Sequence, residues 1–167
     1  MGLHAADQLL AGRCDRQLGG RDDLLRRQGA VYTGAALETC TASVSGAGGL
    51  ALPLDVTYGN NTNVGTATGH ASYAGDANHS GSDADATFAI TPATTTTVVT
   101  CPATVVYSGV AQTPCTANVT GAGGLNQAVT PVTYEANLNA GTATATATYD
   151  GDPNHTGSTG SATFLFR

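Results

Sequence analysis

Gly141-Thr142-Ala143-Thr144-Ala145-Thr146-Ala147-Thr148-Tyr149-Asp150-Gly151-Asp152-Pro153-Asn154-His155-Thr156-Gly157-Ser158 is a strict two-residue alternation that runs into a glycine-rich turn. A period of two is the mark of a β-strand with two unlike faces. Tyr149 shares parity with Ala143, Ala145 and Ala147, so that face is expected to be the core face and the threonines to look at solvent. The same pattern occurs earlier as Gly65-Thr66-Ala67-Thr68-Gly69-His70-Ala71-Ser72-Tyr73-Ala74-Gly75-Asp76-Ala77-Asn78-His79-Ser80-Gly81-Ser82. There Ala67, Gly69, Ala71 and Tyr73 share parity, which places His70 on the outer face.

The duplication extends outward from this strand. Tyr32-Thr33-Gly34 matches Tyr107-Ser108-Gly109, Cys40-Thr41-Ala42 matches Cys115-Thr116-Ala117, and Gly46-Ala47-Gly48-Gly49-Leu50 returns as Gly121-Ala122-Gly123-Gly124-Leu125, all offset by 75. From Tyr58 and Tyr134 onward the offset is 76, and Phe88 and Phe164 close the two copies. A fixed period means one structural unit used twice. Strands are expected at 30–32, 39–44, 54–58, 66–73 and 84–90, and again at 95–100, 104–107, 115–119, 129–134, 142–149 and 161–166. The turns between them are built from Gly, Asn, Asp and Ser. The reading is all-β, with two repeats at 29–91 and 93–167 joined by Thr91-Pro92-Ala93. Residues 1–28 match neither copy and are expected to be a disordered or loosely helical arm. Copy one therefore lacks a counterpart of Thr95-Thr96-Thr97-Val98-Val99-Thr100, and its first strand is expected to be missing. With an unpaired edge, copy one should exchange amide hydrogens faster than copy two.

Alanine dominates the inward positions, so the core is thin. Burial contributes about 25 cal/mol per Å² of apolar area, and the few Tyr, Phe, Leu and Val residues carry most of it. The formal net charge of the 167 residues is −6, with no Lys. Residues 28–167 hold one arginine against eight acids. Such a region repels phosphate backbones and lacks the basic clusters that bind anionic lipid. No apolar run approaches the length of a membrane span, and no signal peptide is readable at the start.

The landmarks occur in order, twice: a Tyr-(Thr/Ser)-Gly segment, a Gly-Thr-Ala-Thr strand, a Tyr-x-Gly-Asp-x-Asn-His-x-Gly-Ser turn and a Thr-Phe strand. In this the chain resembles the bacterial immunoglobulin-like repeats of large surface proteins, the mostly-β Greek-key type. The resemblance covers 29–167. It implies two tandem Ig-like β-sandwich repeats with a non-repeat N-terminal arm, in an extracellular or cell-surface protein. The implied role is a non-catalytic spacer, stalk or adhesion module. The implied partners are neighbouring repeats of the parent protein, with a surface glycan or protein as a further class.

Cys101 and Cys115 lie fourteen apart within one repeat. Bridging a loop of that size stabilises by about 3 kcal/mol, and a small extracellular domain with an alanine-rich core needs such a staple. A metal or redox role is the rival, but no CxxC pair or His cluster accompanies these thiols. Cys40 matches Cys115, whereas offset counting puts Arg26 where Cys101 would be. Cys40 is thus expected to be unpaired, with Cys14 as a substitute that nothing in the sequence positions.

Asp76-x-Asn78-x-Ser80-Gly81 and Asp152-x-Asn154-x-Thr156-Gly157 resemble the opening of a calcium loop. Asp76, Asn78, Asp152 and Asn154 are therefore the metal candidates, and calcium or a glycan is the alternative ligand. The closing bidentate acid is absent, with Thr87 and Thr163 in its place. The competing reading is an Asx turn, in which Asp and Asn side chains bind their own backbone. His79 and His155 fill equivalent turn positions and are read as packing residues at a strand end. No Ser-His-Asp or Cys-His set is present, and Glu38 and Glu135 fall at unrelated places. No catalytic residue, enzyme activity or cofactor is expected.

Overall fold

A computed structural model describes residues 9–14 and 29–167. The remaining positions of the expected N-terminal arm lie outside the described residues. Among the described residues, every regular element longer than a single 3₁₀ turn is a strand. The described residues form two compact units, one of residues 9–14 and 29–31 with Ala35–Thr91, the other of Tyr32–Gly34 with Pro92–Arg167.

Unit 1 contains β1 (Leu9–Cys14), β2 (Ala30–Val31), β3 (Cys40–Gly46), β4 (Leu50–Leu54), β5 (Thr57–Gly59), β6 (Gly65–Tyr73) and β7 (Ser82–Thr91). They form a three-stranded sheet β1-β3-β4 and a four-stranded sheet β2-β7-β6-β5. Unit 2 contains β8 (Thr95–Thr100), β9 (Thr104–Val105), β10 (Thr116–Gly121), β11 (Asn126–Ala128), β12 (Thr133–Glu135), β13 (Gly141–Asp152) and β14 (His155–Phe166). Its sheets are β8-β10-β11 and β9-β14-β13-β12, the same order seven elements on. The pairings between these strands are antiparallel except β2 with β7 and β9 with β14, which are parallel, and an isolated parallel bridge joins Ala93 to His155. The expected duplication is thus present in the topology as well as in the residues.

The alternation works as expected. Ala67, Gly69 and Ala71 of β6 and Ala143, Ala145 and Ala147 of β13 face inward, while His70 is exposed. In unit 2 the core joins both sheets: Val99, Ala117 and Val119 from one, Ala143, Ala145, Ala147, Phe164 and Phe166 from the other. In unit 1 the buried set is Ala42 and Val44 opposite Ala67, Ala71, Phe88 and Ile90. Gly69 stands where unit 2 has the fully buried Ala145. A Cβ on Gly69 would lie 2.9 Å from the Cys40 sulfur and 3.1 Å from Val56, so the sulfur occupies that volume.

Two expectations are corrected. A single strand at 54–58 is in fact the end of β4 and most of β5, and of 129–134 only Thr133 and Tyr134 lie in a strand, β12, while β11 ends just before that span. The 3₁₀ turns Ala47–Gly49 and Ala122–Gly124 close hairpins that send β4 and β11 back along β3 and β10. Pro53 hides β4 from sequence reading. It is tolerated because β4 is an edge strand, where a missing N–H costs no ladder bond.

The first strand of copy one is not missing either. β1 pairs antiparallel with β3 from Leu9 opposite Ser45 to Cys14 opposite Cys40. β8 pairs with β10 in the matching register, Thr97 opposite Val119 as Leu10 is opposite Val44. Unpaired N–H and C=O groups along β3 favour any extended segment that can reach them. Residues 9–14 meet that need without a β-like pattern of their own. Nor is Cys40 a free thiol: it is disulfide-bonded, and none of the described cysteines is free. Cys101 and Cys115 are bridged, one step beyond the Thr100–Thr116 pair of the β8–β10 ladder.

Candidate functional site

The repeated turns after β6 and β13 carry the densest polar chemistry among the described residues. In the first, Asp76 Oδ1 accepts hydrogen bonds from the backbone N–H groups of Asn78 and His79, both at 2.8 Å. The Tyr73 hydroxyl donates to Asp76 Oδ2 at 2.9 Å. His79 Nδ1 lies 2.8 and 3.0 Å from the two carboxylate oxygens, and its Nε2 is 3.0 Å from the Ala47 carbonyl. The second turn repeats this. Tyr149 donates to Asp152 Oδ2 at 2.9 Å, and Asn154 N–H donates to Oδ1 at 2.8 Å. His155 Nδ1 is 2.9 Å from both carboxylate oxygens, and Nε2 is 2.9 Å from the Ala122 carbonyl.

Each histidine therefore faces acceptors on both ring nitrogens. Only the imidazolium donates from both, so the geometry favours the charged form. The carbonyl of Ala47 raises the His79 pKa above its ordinary value, helped by Asp76. The Ala122 carbonyl does the same for His155, and with Asp152 it outweighs the opposing desolvation. Asp76 is held down to about 2, first by the backbone N–H of Asn78 and then by His79. At Asp152 desolvation pushes upward, but His155, Tyr149 and Asn154 together lower the pKa. The tyrosines are raised by desolvation and by the carboxylate they donate to.

Chemically the cluster is a clamp. An Asx turn presents a carboxylate, the carboxylate orients an imidazolium, and the imidazolium reaches across to the carbonyl of a distant 3₁₀ turn. His79 and His155 thus do more than pack at a strand end. The offset of 32 or 33 residues between each histidine and its carbonyl kept the bridge out of sight of sequence reading. Of the calcium candidates, Asp76 and Asp152 are engaged with N–H and O–H donors inside the turn. A carboxylate offers about four lone-pair sites, and the four donors on Asp76 use them. Among the described residues, His, Cys, Asp and Glu nowhere gather in a group of three that would hold a metal.

A second repeated device was also missed. Tyr58 of β5 accepts from the Cys40 N–H at 2.9 Å and donates to the Cys40 carbonyl at 3.0 Å. Tyr134 of β12 does the same with Cys115 at 2.9 and 3.1 Å. Each tyrosine ties the four-stranded sheet to the end of the three-stranded one, at the cysteine. Only its recurrence at the 76-residue offset signals it in the sequence. Elsewhere, exposed His70 pairs across strands with Asp85 at 2.8 Å. Glu38 and Glu135 join neither turn cluster.

No protein-family model matches the chain, and a search of curated proteins returns no match.

Proposed function

We propose that this chain is a non-catalytic structural or adhesion module of a larger extracellular bacterial protein, acting as a spacer or stalk of tandem Ig-like repeats. The observation that carries the reading is the recurrence of one seven-strand unit, with the same strand order and the same Tyr–Asp–His clamp. Repetition of a scaffold together with its internal bracing is what a length-setting element needs, and it requires no active site. The Cys101–Cys115 bridge accords with an oxidising compartment. The repeated turns spend their carboxylates on self-bracing, which favours the spacer over a calcium-binding module.

Single-molecule pulling tests the reading. A spacer gives two separate unfolding steps, each releasing on the order of 200 Å of chain. A single step, or extension without resistance, overturns it. Calorimetric titration with calcium is the companion experiment: heat together with a raised melting temperature replaces the spacer with a metal-binding module.

A further inference from the structure

Tyr32-Thr33-Gly34 belongs to unit 2 and lies against the turn Gly121–Leu125. The Tyr32 ring meets the His155 ring edge-on, with centroids 5.2 Å apart. The Gly123 N–H donates to the Thr33 carbonyl at 3.2 Å. The fit leaves no slack: a Cβ on Gly123 would lie 2.7 Å from the Tyr32 hydroxyl, and one on Gly34 would overlap the Gly123 Cα. A Tyr-x-Gly segment and a Gly-Gly turn capped by the clamp histidine therefore form a matched pair of surfaces.

The chain carries each surface a second time, and among the described residues both are open. Tyr107-Ser108-Gly109 is the counterpart of Tyr32-Thr33-Gly34, yet Tyr107 is 50% exposed and its neighbours Val106 and Val110 are 78% and 63% exposed. Gly48 is the counterpart of Gly123, yet a Cβ there would meet nothing within 4 Å. The His79 side chain keeps 16% of its surface exposed against 6% for His155. An apolar segment of this kind left in water is the usual sign of a contact surface.

We propose that the Gly48–Gly49 turn with His79 is a receiving site for the Tyr107-Ser108-Gly109 segment of a second copy of this chain, so that copies associate head to tail. The inference rests on the spacer reading only for its biological setting. The contact is heterologous and does not close on itself, so it propagates as a string rather than a symmetric dimer. One ring and one hydrogen bond make it weak between free chains, with a dissociation constant of about 1 mM. Joining units in one polypeptide raises the effective concentration into the range where such a contact is filled.

The test is amide NMR on the full chain. With rising concentration, the Gly48 and Gly49 signals and those of Tyr107–Gly109 shift together. Labelled Tyr107→Ala chain mixed with unlabelled wild type still shows the shift at Gly48, because its receiving turn is intact. Labelled Tyr107→Ala chain alone shows none. Absence of shifts in the wild type up to about 2 mM overturns the proposal, as do shifts at Gly48 that persist in Tyr107→Ala alone. Either result leaves the two-step force signature, and so the spacer reading, standing.

Discussion

Unit 1 and unit 2 have one topology but unequal interiors. In unit 2, Phe164 is buried between the rings of Tyr134 and Phe166, at centroid distances of 6.3 and 5.2 Å. Its counterpart Phe88 is buried too, but has Ile90 in place of Phe166 and no ring contact among the described residues. Ser158 in β14 shares hydrogen bonds of 2.8 Å with Thr95 and Thr97 of β8. Its counterpart Ser82 has a buried hydroxyl with no partner among the described residues. In the register, Leu10 stands at the β1 position that corresponds to Thr97. Topology thus survives changes that remove individual contacts, because strand order is set by backbone pairing and by small inward residues, alanine or glycine, which both copies keep. Stability is the more sensitive quantity.

The largest expected effect is at the aromatic core. Phe164→Ala should cost unit 2 about 3–5 kcal/mol. Phe88→Ala should cost unit 1 less, by the roughly 0.5–1.5 kcal/mol that ring pairs add. Differential scanning calorimetry with the two transitions assigned by NMR measures both; equal losses would show that the ring cluster contributes nothing specific.

Next comes the staple. Replacing Cys101 and Cys115 together with alanine should lower unit 2 by about 3 kcal/mol, from the closed loop alone, and leave the unit 1 transition in place. Free thiols at both positions in mass spectra of air-oxidised protein would remove the basis for this.

A smaller and opposite pair of effects is expected at the serines. Ser158→Ala should destabilise by about 1 kcal/mol through its lost bonds. Ser82→Ala should be neutral or stabilising, since it removes a buried hydroxyl that no described group satisfies. Denaturant melts of the two variants compare them directly, and a loss at Ser82 equal to that at Ser158 would break the distinction.

The smallest effect is the pH response of the clamps, whose aspartates are partly open to water and screened. His79 and His155 have folded pKa values above the ordinary 6.5, so their contribution is complete below 6.5 and fades as pH rises through the folded values. Asp76 is lowered from 3.8 to about 2, so its contribution is complete above 3.8 and fades as pH falls toward about 2. Stability should therefore be greatest between these limits. A His79→Gln, His155→Gln double variant should flatten the alkaline side of a melting-temperature profile; an unchanged profile would show that the histidines are not charged clamps.

Much of this is legible in the residues. The alanine–threonine alternation specifies β6 and β13 and their inward faces, because a pleated strand puts alternate side chains on opposite sides. The Gly-Asp-x-Asn spacing specifies the Asx turns, because those bonds close over two or three residues. The 75-residue offset specifies that one architecture occurs twice. Legibility ends where the interaction is long-range. Leu9-Leu10-Ala11-Gly12-Arg13-Cys14 has no strand pattern, and its role in β1 comes from the open edge of β3. Counting back by the repeat offset lands on Arg26, whereas Cys14 stands opposite Cys40, because copy one has twelve more residues between its first strand and the rest.

The sequence by itself therefore determined the period, the faces, the turns and the Cys101–Cys115 pair, all set by spacing along the chain. Only the tertiary structure decided that residues 9–14 complete unit 1. It alone also decided that His79 and His155 reach the carbonyl of a distant 3₁₀ turn, and that Tyr58 and Tyr134 brace a cysteine some eighteen or nineteen residues away. The physical reason is the same in each case. A backbone edge or carbonyl takes whichever donor the fold brings within 3 Å, and that choice is made in space.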